Sequence, residues 1–96
     1  MKTTDFTPVY PHYYDIFAES RDKESSRIIY FGEGTALEEV IGKITGITTN
    51  EQNEEYMTFE NGREVRIDRI ISINGKPGPA FDEYNNLGMA CMDCNF

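Results

Sequence analysis

Cys91 and Cys94 have the spacing best suited to chemistry in this 96-residue chain. A CxxC pair can set two thiolates on one metal ion or form a redox couple. A structural zinc needs four ligands, and the other soft candidate, His12, is distant in sequence. The spacing leaves open a site within the chain, a site shared by two copies, or free thiols. Free thiols fit best, so no metal or cofactor is expected. His12 follows Pro11 with no serine or cysteine at a nucleophile spacing, which favours a surface or capping role over general-base work. The pairs Glu38–Glu39 and Glu54–Glu55 supply carboxylates. Neighbours on a strand point to opposite faces, however, so neither pair is expected to act on one substrate. No phosphate-binding loop, dinucleotide fingerprint, nucleophile elbow or HExxH run is present, and an enzyme is not expected. Arg63, Arg66 and Arg69 form the basic cluster. They would contact phosphate, or else pair with Glu60, Glu64 or Asp68 in exposed ion pairs of about 0–1 kcal/mol each. Tyr10, Tyr13 and Tyr14 offer stacking surfaces or interface anchors, with Tyr13 assigned to the core.

Charge narrows the class of partner. The chain carries a net charge of −8. Within residues 32–62, Glu33, Glu38, Glu39, Glu51, Glu54, Glu55 and Glu60 stand against Lys43 alone, a net of −6. Such a balance disfavours a phosphate backbone as partner and suits a basic surface, so direct nucleic-acid binding is not expected. The apolar runs are strand-sized, far short of the roughly 20 residues of a membrane span. Met1 to Ser20 lacks the continuous apolar stretch of a secretory signal. The expectation is a cytoplasmic protein with no membrane partner, whose length allows one modest core.

Three zones position these residues. Pro8 and Pro11 hold the arm from Phe6 extended. Tyr13, Ile16, Phe17 and Ser20 then recur at helical spacing, placing Asp15 in the first turn beside the positive end of the helix dipole. Strands follow at Arg27–Phe31, Leu37–Thr49, Tyr56–Glu60, Arg63–Asp68 and Ile70–Ile73. Gly42 and Gly46 interrupt the second, which predicts a sharply bent strand. Asn61-Gly62 predicts a type I′ hairpin, and alternation at Val65 and Ile67 predicts that Arg66 points outward. Residues 77–96, rich in proline and glycine, read as a flexible tail beyond a folded domain of residues 1–76. The expected architecture is mainly β (α+β by count). An N-terminal helix precedes a five-stranded antiparallel open barrel of the Sm-like type, with a helix packed on a flat meander as the runner-up.

Two stretches carry a resemblance. The run from Phe6 to Asp15, FTPVYPHYYD, resembles the opening of the Rho-binding antiterminator (Rof) family. The run from Glu55 to Lys76, with Gly62-Arg63-Glu64-Val65-Arg66-Ile67-Asp68-Arg69-Ile70-Ile71-Ser72, is similar to that family's closing hairpin and last strand. The chain departs from the family at Pro11-His12 and Ile16, where members carry further acids on the helix. The resemblance implies an Sm-like barrel that binds the transcription terminator Rho and blocks RNA loading. Tyr14, Asp15, Glu19, Glu38, Glu39 and Arg66 are the residues assigned to that contact. The alternative is an Sm-like RNA-binding module acting through Arg63, Arg66 and Arg69.

Overall fold

The computed structural model describes residues 6–32 and 36–86. They form helix α1 (Pro11–Arg21) and strands β1 (Ser26–Phe31), β2 (Leu37–Gly42), β3 (Ile44–Thr49), β4 (Glu55–Phe59), β5 (Glu64–Arg66), β6 (Ile70–Ile73) and β7 (Lys76–Pro77). A 3-10 turn at Ile67–Arg69 joins β5 to β6, and the backbone is helical again at residues 81–86. The class is mainly β. The strands lie in two antiparallel sheets, ordered β2-β1-β6-β7 and β3-β4-β5, and do not close into a barrel among the described residues. No helix there is long and apolar enough to cross a membrane.

Pro11 starts the helix one residue earlier than the apolar spacing implies, since its fixed φ suits the first helical position. Asp15 consequently lies beyond the first turn, which holds no acid, and the expected dipole contact is corrected. Phe17 and Ser20 are the buried face. The Ser20 carbonyl accepts the Ser26 hydroxyl at 3.2 Å, and the Asn74 amide donates to Ser26 Oγ at 3.1 Å and Ser20 Oγ at 3.3 Å. These side chains anchor the helix end to the sheet.

The long strand expected at residues 37–49 breaks at Lys43, so its halves enter different sheets. The Lys43 carbonyl accepts Glu60 N–H at 2.8 Å. Its ammonium donates to the carbonyls of Arg21 and Lys23. A cation there meets the negative end of α1, which fixes the bend against the helix.

The two Asn-Gly pairs differ in their turns. Asn61 does not have positive φ, and Phe59 with Arg63 closes a three-residue loop in which Gly62 alone is left-handed at φ 89°. That is a type I turn with a bulge, in place of the expected I′. The two-residue I′ geometry occurs instead at Asn74-Gly75, φ 51° and 84°, between β6 and β7.

Ile28, Val40, Ile44, Met57, Phe59, Val65, Ile67, Ile70 and Ile73 form the main core under Phe17. A second cluster joins Phe31, Ile71 and Ala80 on the other side of the first sheet. Residues 77–80, expected to be tail, stay on the sheet. Gly78 N–H donates to the Ile71 carbonyl and Ala80 N–H to the Ile70 carbonyl, both at 2.8 Å. Glycine is needed for that approach, because a Cβ at position 78 would stand 2.6 Å from the Ile70 oxygen. Gly78→Ala is expected to cost about 1–3 kcal/mol in urea denaturation, the usual range for overpacking. Unchanged stability would show that the segment docks loosely.

Candidate binding site around Tyr14 and the β3–β4 loop

The β3–β4 loop is shaped by its own side chains. Asn50 Oδ1 accepts the N–H groups of Gln52 and Glu54, each at 2.9 Å, and Asn53 takes a left-handed φ of 63°. Glu54 therefore sits in the loop ahead of β4, so the opposite-faces argument for Glu54 and Glu55 does not apply. Both line an open cleft of about 610 Å³ whose other walls include Phe6, Pro8, Val9 and Tyr14. The Tyr14 hydroxyl donates to Glu55 at 2.9 Å. Burial, then the Glu55 hydrogen bond and charge, raise the Tyr14 pKa above its ordinary value of 10.0. Tyr56 is raised as well, by burial first and then by the charge of Glu54.

A buried ion pair holds the arm that walls this cleft. Arg66 Nε lies 2.6 Å from Asp68 Oδ1, and Arg66 Nη2 lies 3.1 Å from Asp68 Oδ2. The side chains are 5% and 3% exposed. Thr7 N–H donates to Asp68 Oδ2 at 2.8 Å, the Phe6 ring lies 5.9 Å from the guanidinium carbon, and Glu54 is 3.6 Å from Arg66 Nη1. The expectation that Arg66 faces outward is thus corrected. The 3-10 turn at Ile67–Arg69 ends the strand alternation, and the arm covers the face that alternation left wet.

The remaining assigned residues are dispersed. Asp15 is exposed on α1. Glu19 pairs with Lys76 at 2.8 Å, and that contact lowers its pKa. Glu38 and Glu39 stand on β2, in the other sheet from Glu55, with Glu39 paired to Arg27. The structure therefore brings Tyr14 and Arg66 to one place, together with Glu54 and Glu55, and leaves Glu19, Glu38 and Glu39 elsewhere. The alternative cluster is engaged throughout. Arg63 donates to the Tyr30 hydroxyl at 2.7 Å, Arg66 is buried, and Arg69 bonds Glu83 at 3.0 Å and lies 4.8 Å from the Phe31 ring centre. His12 is exposed in a ring stack with Tyr10 and Tyr13. Among the described residues no three His, Cys, Asp or Glu groups are placed to hold a metal ion, and Cys91 and Cys94 lie outside those residues.

A second groove runs between α1 and β3. It has a volume of about 290 Å³ and is lined by Phe17, Ala18, Ile44, Ile47 and Met57, with Tyr14 shared with the acidic cleft. No protein-family model matches the chain, and neither does any curated protein or solved structure.

Asp68→Ala removes the bidentate partner of the buried Arg66 charge and is expected to cost about 3–5 kcal/mol, measured by denaturation. A loss below about 1 kcal/mol would mean that Arg66 escapes to water. Tyr14→Phe is expected to cost about 0.5–1.5 kcal/mol near neutral pH. A folded pKa raised above 10.0 stabilises the protein fully below that pH and is lost as pH rises through the folded value. The gap between wild type and Tyr14→Phe should accordingly narrow above about pH 10, and a constant gap across that range would refute the linkage.

Proposed function

We propose that this chain is a non-enzymatic regulator that works in the cytoplasm. It docks its acidic cleft on the basic RNA-binding surface of another protein, and the resemblance names that protein as the terminator Rho. Occupying the surface excludes RNA and produces antitermination. The observation that carries the reading is the concentration of uncompensated acid at the cleft. Glu54 and Glu55 line it, while Asp68 and Arg66 answer each other in the buried pair behind the arm, leaving that group of four with a net of −2. Opposed fields of this kind raise association rate and specificity, which suits a competitor of RNA.

The sheet order supports the Sm-like part of the reading. Read across the bend at Lys43, β2 and β3 are one bent strand. The two sheets then join as β6-β1-β2/β3-β4-β5, five principal strands behind an N-terminal helix, with β7 as an added edge. RNA binding through Arg63, Arg66 and Arg69 is the weaker reading, because Arg66 is buried against Asp68, Arg69 is paired with Glu83 and the exposed Arg63 is bonded to Tyr30.

The test is displacement of fluorescent single-stranded RNA from Rho by the purified chain. Displacement is expected at low salt and should weaken as salt rises, since near physiological ionic strength exposed charges more than about 8 Å apart are largely screened. Glu54→Gln with Glu55→Gln should impair it, whereas Glu38→Gln with Glu39→Gln should not. RNA affinity left untouched at low salt would sink the proposal.

A further inference from the structure

Gly46 stands where β3 shifts register on β4, yet neither a clash nor a left-handed backbone demands glycine at that bulge. A Cβ there would meet no atom within 4 Å, and its φ is not in the positive range. Glycine inside a strand weakens it, and marks positions that another group approaches closely. Gly46 lies in the lining of the groove between α1 and β3, and its lack of a side chain keeps that groove open. The groove's 290 Å³ is near the lower bound of small-molecule pockets, roughly 300–1,000 Å³, a size suited to a protein side chain. Its ends differ in charge. Tyr14, bonded to Glu55, lies at one end, and Arg21, two helical turns further along α1, lines the other.

We propose that this groove receives one aliphatic side chain of the partner, and that the partner residue next to it is a lysine or arginine directed at Glu54 and Glu55. The inference rests on the protein-binding reading above and adds what the partner must present. Burial of the aliphatic anchor supplies affinity, and the carboxylates beyond Tyr14 select a cation beside it. Arg21 sets the direction of docking, because a cation on that side would be repelled. The ligand is therefore a basic–aliphatic step of a protein, with its charge toward the N-terminal end of α1.

The test measures Rho binding by anisotropy with the whole chain, comparing wild type with Gly46→Leu and Ala18→Leu. These fill the groove from opposite walls, so a fold defect in one, seen as a lowered melting temperature, leaves the other decisive. Thr48→Leu, exposed on β3 and outside the groove, is the control. Filling is expected to weaken binding by roughly tenfold or more with the melting temperature held, while the control binds as wild type. Losses from Gly46→Leu and Glu55→Gln should add to less than their sum, because anchor and cation belong to one segment. Full affinity in the filled variants, or strictly additive losses, would overturn the inference and leave the acidic-cleft reading standing. A wild type that does not bind Rho at low salt would remove both.

Discussion

Two charges taken out of water carry a desolvation cost of several kcal/mol each, and the Arg66–Asp68 pair is 5% and 3% exposed. It survives because every side of it is answered. The contact is bidentate, Thr7 N–H adds a bond to the carboxylate, Phe6 covers the guanidinium, and Glu54 approaches from the loop. Those same contacts seat the N-terminal arm, and the arm leads directly into α1 at Pro11. The cleft wall, the start of the helix and the position of Tyr14 all follow from one buried pair on the 3-10 turn.

The opposite end of α1 is held by a different device. Lys43 reaches the helix-terminal carbonyls from the point where the long strand changes sheet. Ser20, Ser26 and Asn74 tie the last turn to β1 and the β6–β7 hairpin. Fixed at both ends, α1 packs Phe17 onto Ile44 and Met57 in the core, and the groove is the space left beside that contact, between Ala18, Arg21, Gly46 and Ile47. A glycine at position 46 preserves that space, whereas the glycine at position 78 removes a clash of backbone on backbone. The same residue type serves two opposite ends.

Much of this was legible where period and packing agree. Phe17 and Ser20 recur at helical spacing and are buried, and Val65 and Ile67 alternate and are buried. The errors arise where a local rule ends. Alternation forecast an outward Arg66, but Asp68 lies on a 3-10 turn and the arm covers both. Asn61-Gly62 forecast a I′ turn, yet Phe59 and Arg63 pair across three residues and ask for a left-handed backbone only at Gly62. Glu54 and Glu55 are expected on opposite strand faces although the expected strand starts only at Tyr56, and the Asn50 side chain, four residues before Glu54, holds Glu54 in the loop. That Asx pattern, visible in the sequence, was the signal for the cleft.

Net charge does not say which face carries an exposed negative field, because acids count only where cations leave them unanswered. Glu39 and Glu19 are exposed acids with a partner each, Arg27 and Lys76, so their fields are largely cancelled nearby. Glu55 is answered by a neutral hydroxyl, and the Tyr14 pKa rises first through burial and then through the hydrogen bond and charge of Glu55. A hydrogen bond from tyrosine orients the acid without neutralising it. Orientation without neutralisation is the condition under which a carboxylate stays available to an incoming cation, and Glu55, which is not among the assigned residues, meets it beside α1.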